Sequence, residues 1–326
     1  MSSSPLPDGM AIAAETTKWS RQRRRLSWVR VARGSVPYLL ILPVLVVIGA
    51  VLGYPLYSLV RLSFQQYGLF ELIRHAGISV GLKNYSSVLR DQVFWHTLLR
   101  TVLFTVANVF FTMTVGTSLA LLLLRLSNWA RVLVMSGLVL VWSVPVVVAV
   151  QVWYWMTNYQ NGVLNYVLTQ LHVGDFFHHD WYATTFSQFG IVTAMIVWGA
   201  LPFVVVTVYA GLAQVPRDLV EAAEIDGANP LRVFRDVTVP ILMPILLILT
   251  SLSIIWDFAV FTQPYLLIGQ AHTNPSNYLM GTYLFEEGYV KSDFGRGAAI
   301  SLLMLVIVAV LSIFYVRKMV RMGDVE

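Results

Sequence analysis

Residues 189–212 read FGIVTAMIVWGALPFVVVTVYAGL, without one Asp, Glu, Lys or Arg. A helix rises 1.5 Å per residue, so about 20 mostly apolar residues cross a hydrocarbon core roughly 30 Å thick. This stretch, Phe189–Leu212, is long enough and apolar enough to do so. Five others share the pattern: Val36–Val60, Thr101–Leu124, Val132–Met156, Ile241–Thr262 and Ala298–Val316. Together they predict an all-α fold, a polytopic membrane bundle of six transmembrane helices. The first is too long for the roughly 7–15-residue apolar region of a signal peptide and has no A-x-A cleavage site, so it reads as a retained anchor.

Working outward from the spans, the whole composition agrees. Of 326 residues, 57% are hydrophobic and 12% charged, with a mean hydropathy of +0.69. Soluble domains carry about 25% charged residues, so this chain lacks the charge to cover a globular surface in water, and its apolar content excludes disorder. There is no cysteine, hence no disulfide framework, thiolate metal site or cysteine nucleophile. The net charge of +5 does not point to nucleic acid, because seven of the 22 basic residues precede residue 36 and flank the first span. Such a flank is what a cytoplasmic membrane boundary requires.

With the N-terminus inside, the inner segments hold 15 Lys and Arg and the outer ones 7. The positive-inside rule then predicts that both termini are cytoplasmic. The expected organisation is an N-terminal tail over 1–35, a transmembrane domain over 36–316 and a C-terminal tail over 317–326. All six histidines fall in outer segments, read as irregular loops; adjacent loop histidines are seldom co-ligands without a third donor, so His178-His179-Asp180 is not read as a metal site. The loop over 157–188 is instead rich in aromatic residues, as an interfacial belt is. Prolines 43, 55, 145, 202 and 244 fall inside spans. They predict either packing kinks or helices bent around a pathway.

The inner loop over 213–240 has a pattern of its own. It holds five acids (Asp218, Glu221, Glu224, Asp226, Asp236) against three arginines. Pro216 suits a helix start and Gly227 a helix stop, and a second short helix is expected from Pro230 with Leu231, Phe234 and Val237. Acids against anionic lipid are repelled, so the elbow suits a protein partner with a basic cleft better than a membrane surface.

Asp257 is the only carboxylate inside the six spans. A charge near the bilayer centre costs about 2.5–3.5 kcal/mol on insertion scales, so such residues face a partner, water or a pathway. Beside it stands Trp256, whose ring can stack on the apolar face of a sugar. The two together suit a neutral, hydroxyl-rich solute and repel an anionic one. The alternative is an interfacial residue, snorkelling or paired. No Ser/His/Asp order and no paired inward carboxylates point to catalysis.

Glu221-Ala222-Ala223, three residues, Gly227, nine residues, then Val237-Thr-Val239-Pro240 resembles the E-A-A-x3-G-x9-I-x-L-P loop of bacterial ABC importer permeases. Val237 and Val239 replace the usual Ile and Leu. Asp226-Gly227-Ala228 is the form found in the sugar-importing branch of the maltose type. Tyr54-Pro55, Gly81-Leu-Lys-Asn84-Tyr85 and Phe294-Gly-Arg-Gly-Ala298 add support, so the likeness runs from about residue 36 to the end. It implies a type I ABC importer permease fold forming half of a translocation pathway for a mono- or oligosaccharide, worked by alternating access. It also implies a second, related permease subunit, two ATPase subunits that carry ATP and magnesium, and an extracytoplasmic solute-binding protein. By the same likeness Glu221, Ala222, Ala223, Asp226 and Gly227 form the coupling helix that docks on an ATPase. Trp256 and Asp257 fall on sugar-contacting positions. Val260 falls where a second amide is usual, and Ala200 and Phe203 fall where Gly and Tyr touch sugar. This chain carries no G-x-x-x-x-G-K-[ST] and so no phosphate cradle. The rival readings are the same machinery moving a non-sugar solute such as a glycerol-phosphate-like compound, or a membrane scaffold or channel without an ATPase.

Overall fold

The computed structural model describes residues 40–268 and 274–323, with side chains to Arg317. The expected tail over 1–35, the start of the first span, His272 and residues 324–326 lie outside the described residues. The chain divides at Arg61/Leu62 into two compact units. Helix α1 (Leu40–Ser63), most of which belongs to the first, passes through a π-turn at Gly49–Gly53, and its apolar side chains, such as Leu42, Val46 and Leu52, are exposed. That is the surface of a helix whose solvent is lipid.

The second unit opens with a two-stranded antiparallel ribbon, β1 (Gln65–Gln66) and β2 (Ile78–Ser79), paired Gln65↔Ser79 and Gln66↔Ile78 around the short helix α2 (Leu69–Arg74). Helix α3 (Lys83–Arg90) follows. The Asn84 amide donates to the carbonyls of Ser63 and Gln65, and Tyr85 donates to the Ser63 hydroxyl, so this stretch of the Gly81–Tyr85 motif anchors the ribbon. The transmembrane helices are then α4 (Gln92–Arg125), α5 (Asn128–Ser143) with α6 (Val146–Met156), α8 (Thr185–Leu212), α10 (Pro230–Phe258) and α13 (Phe294–Gly323). Between them lie α7 (Val163–Gln170), α9 (Arg217–Ile225), α11 (Thr262–Leu267) and α12 (Met280–Phe285).

Three features differ from the sequence reading. The span expected over Val132–Met156 is two helices, α5 and α6, bent by 105° at Val144-Pro145. Pro145 has no N–H to continue the ladder and disfavours helix at Val144, so the chain breaks there and does not merely kink. Pro202 and Pro244 leave α8 and α10 continuous. The short helix expected from Pro230 is no separate element: it runs through a π-turn at Phe234–Thr238 into the fifth span as the single helix α10, which stops at Phe258 and not at Thr262. The second span begins at Gln92, before Thr101, because Asp91 caps it by accepting from the Val93 amide at 2.9 Å.

The core has three parts. One packs α8 residues Ile191, Val192 and Met195 on Val150 and Leu267; another joins Phe94, Phe258, Tyr283 and Ile300. The third sets Ala120 and Leu123 of α4 against Val204, Val205, Val208 and Leu242. A charged network ties α4 to α13. Arg296 donates to Asp91 at 2.5 Å and lies 2.9 Å from Glu287, while Tyr283 donates to Asp91 at 3.2 Å and Lys291 reaches Glu287 at 2.6 Å. The adjoining Gly295 is required by close approach, since a Cβ there would run into the Gln65 carbonyl. This gives the Phe294-Gly-Arg-Gly motif a structural role.

Candidate functional site: a cavity at the broken span and an exposed elbow

At the break between α5 and α6, a cavity of about 330 Å³ is lined by α5, α6, α8, the end of α10 and the start of α11. That volume lies at the lower end of ordinary ligand sites. All five residues expected on the pathway, Ala200, Phe203, Trp256, Asp257 and Val260, line it. They come from two helices and from the turn that follows α10, so it is the packing of α8 against α10 that brings them together.

The walls are largely aromatic. Phe203 stacks on Trp142 with ring centroids 5.8 Å apart and planes 24° apart, and meets Trp256 at 5.7 Å. Trp142 is fixed by its indole N–H, which donates to the Gly199 carbonyl at 3.1 Å. On the next turn Trp198 meets Trp153 edge-on at 6.2 Å. Val260 is buried in the cluster with Val192 and Leu267, and so contributes shape and no polarity. Asp257 is the charged exception. It is only 7% exposed, and among the described residues no side chain pairs with it. Its side chain lines the cavity and is not part of the exposed surface.

Among the contributors to this cavity that sequence reading missed are Trp142 and Gln263. Trp142 stands on a span that carried no other signal than Pro145. Gln263 lies on α11, beyond the expected span end.

The elbow is built by local rules. Helix α9 starts after Pro216 and ends in a Schellman turn: the Gly227 N–H donates to the Glu224 carbonyl and the Ala228 N–H to the Ala223 carbonyl, each at 3.0 Å. Gly227 sits at φ +82°, the left-handed region that favours glycine. Asn229 then caps α10 by accepting from the Arg232 amide at 2.8 Å, with Pro230 at the first helical position. Glu221, Ala222, Asp226 and Gly227 are exposed and Ala223 half-buried. Exposed apolar residues accompany the acids: Ile225 is 86% and Leu231 74% exposed. Among the described residues Asp218, Glu221, Glu224 and Asp226 make no ion pair, whereas Asp236 is held by Arg232 and Arg235. Behind α9, Glu221 and Glu224 edge a second cavity of about 720 Å³ with Arg131, Arg217 and Tyr209. Arg131 closes the end of α4 by donating to the carbonyls of Leu123 and Leu126 at 2.9 and 3.0 Å, and lies over the Tyr209 ring.

The loop after α6 is ordered by its own side chains. Trp181 donates to Asn165 at 2.6 Å and stacks on Phe176, and His179 packs edge-on against Trp181. Tyr182 bonds the Thr157 hydroxyl at 2.7 Å, and burial pushes its own hydroxyl up to about 12. His75, His172 and His178 take positive φ, the turn role expected of irregular loops. Among the described residues no three His, Asp or Glu side chains gather as a metal site.

Residues 112–320 match the family described as binding-protein-dependent transport system inner membrane component. Among curated proteins, the chain is 38% identical to the diacetylchitobiose uptake system permease protein DasB of Streptomyces coelicolor, over 89% of this chain and 88% of that one. It is 32% identical to the trehalose/maltose transport system permease protein MalF of Thermococcus litoralis, over 86% and 92%. Among solved structures, a chain of a bacterial ABC transporter that imports the acidic polysaccharide alginate superposes with a TM-score of 0.75, at 18% identity, over 91% of this chain and 99% of that one. At that identity the likeness speaks for the fold alone.

Proposed function

The chain belongs to the binding-protein-dependent transport system inner membrane components, a multi-pass membrane transport component and not an enzyme, and we propose that it forms half of the translocation pathway of an ABC importer for a neutral mono- or oligosaccharide. The observation that carries this reading is the single cavity in which Trp256, Asp257, Phe203, Ala200 and Val260 meet. Aromatic walls offer stacking faces to a pyranose ring, and one buried carboxylate accepts hydrogen bonds from its hydroxyls. Because that carboxylate is desolvated and unpaired, a second negative charge beside it is repelled. The substrates for which the two sequence relatives are named, diacetylchitobiose and trehalose or maltose, are neutral sugars of this kind.

The elbow supplies the second half of the reading. Its uncommitted acids and its exposed Ile225 and Leu231 suit docking in a basic, partly apolar cleft of a cytoplasmic ATPase. Glu221, Ala222, Ala223, Asp226 and Gly227 are the coupling residues. Two such ATPases hold ATP and magnesium, a second related permease completes the pathway, and a solute-binding protein delivers the sugar at the opposite face. Both termini then lie in the cytoplasm. ATP-driven closure of the ATPases moves the elbows and opens the cavity outward, and return of the elbows lets the sugar leave inward.

The test is uptake by the whole importer, reconstituted with its second permease, ATPases and binding protein in proteoliposomes. Accumulation of diacetylchitobiose, trehalose or maltose, with glycerol 3-phosphate excluded, is the expected result. Uptake of the anionic solute alone transfers the assignment to the non-sugar rival. Transport without any co-purifying ATPase removes the importer reading altogether.

A further inference from the structure

The cavity holds two polar side chains, Asp257 and Gln263, and they reach it from different elements. Helix α10 ends at Phe258, the chain turns through Val260 and Phe261, and α11 starts at Thr262. Gln263 is one residue into that helix and lines the same cavity as Asp257. The position at which sugar permeases of this kind carry a second amide is here Val260, buried among apolar neighbours. An amide is therefore absent from the expected place and present three residues later, facing the same space.

Neither polar group is committed within the chain. Asp257 is more than nine-tenths buried, and among the described residues no hydrogen-bond donor meets its carboxylate and no partner meets the Gln263 amide. Buried polar groups in folded proteins nearly always have partners, and an unpartnered one costs about 1–3 kcal/mol. A buried acceptor and an amide, both open to one cavity and flanked by stacked rings, are complementary to a ligand that brings its own donors and acceptors.

Resting on the proposed function, we infer that Gln263 is a substrate-selecting residue that works with Asp257. The carboxylate accepts from one hydroxyl of a pyranose ring, while the Gln263 amide donates to a neighbouring hydroxyl. The ring itself lies against the Trp142–Phe203–Trp256 wall. An amide both donates and accepts, so it also separates hydroxylated rings from deoxygenated ones, whose missing group leaves the amide unpaired. Trp142 acts through another residue: its bond to Gly199 and its stacking on Phe203 hold the ring that forms the wall, which makes it a positioning residue.

The experiment measures uptake by the reconstituted importer of trehalose, maltose and diacetylchitobiose and of the monodeoxy analogues of each. Gln263→Ala, Gln263→Asn and wild type are compared with the same binding protein, so that its own selectivity cancels. Gln263→Ala is expected to lower kcat/KM for the transported sugar about tenfold. For one monodeoxy analogue, the one lacking the hydroxyl that Gln263 meets, wild type and Gln263→Ala should be equal. Gln263→Asn should recover part of the discrimination, and Trp142→Phe, which keeps a ring but loses the bond to Gly199, should raise KM with kcat little changed. A parent-to-analogue ratio in Gln263→Ala equal to that of wild type for every analogue overturns the inference, even though sugar is still imported. Failure of the wild-type importer to take up any of these sugars overturns the proposed function instead. If Gln263→Ala does not assemble, Gln263→Asn and Gln263→Glu decide by the same ratios.

Discussion

The chain contains two clusters of charge that treat their charges in opposite ways. In the Asp91–Tyr283–Glu287–Arg296 network, each charge is met by another part of the same chain, up to 205 residues away. In the elbow, Asp218, Glu221, Glu224 and Asp226 stand exposed with no ion pair among the described residues. A charge answered within its own chain holds the fold together. A charge left open beside exposed Ile225 and Leu231 is an invitation to a second molecule. Asp257 belongs with the elbow by this criterion, although it is buried, because it too is unanswered.

The sharpest way to break that contrast is charge reversal in the elbow. Glu221→Lys should leave thermal unfolding of the purified permease unchanged and lower coupled uptake about a hundredfold, since like charges placed across an interface cost several kcal/mol. Normal uptake by this variant sinks the docking role. Arg296→Ala should do the reverse. Removal of one partner from a largely buried pair costs about 3 kcal/mol, read as a lower unfolding midpoint, whereas any complex that survives should couple ATP hydrolysis to uptake as before. Gly227→Val lies between the two. The left-handed backbone at φ +82° should cost about 1–2 kcal/mol with a side chain, seen as faster hydrogen exchange at the Gly227 and Ala228 amides together with partial uncoupling. The smallest effect sharpens the comparison from inside the first cluster. Lys291 is 55% exposed and pairs with Glu287 from the rim, so Lys291→Ala should shift stability by no more than about 0.5 kcal/mol.

The parts of this molecule that obey local rules were legible in its sequence. Long uncharged runs place the spans, because nothing but a helix satisfies its own backbone in lipid. The elbow follows from Pro216, Gly227 and Pro230, whose positions match a helix start, a helix stop and a first turn, whereas the cap by Asn229 came only with the structure. What escaped is what depends on approach in space. The residues of Asp91 and Arg296 meet across 205 positions of sequence, and neither alone announces the other. Gln263 lay beyond the expected end of a span and gave no signal until the chain turned it back toward Asp257. Pro145 was visible, but proline in a membrane helix is compatible with anything from a slight kink to a full break. The structure has the full break, a bend of 105°.

Helix α10 starts at Pro230, just after the Gly227 turn of the elbow, and runs through the π-turn at Phe234–Thr238 to Phe258 beside the cavity carboxylate, so one continuous helix links the two regions. At 1.5 Å per residue that helix is about 43 Å long, and a swing of about 5° at its elbow end sweeps the far end through about 4 Å. A displacement of that size exceeds the length of a hydrogen bond. On the proposed function, a grip on the solute can thus be made or released by movement at the elbow.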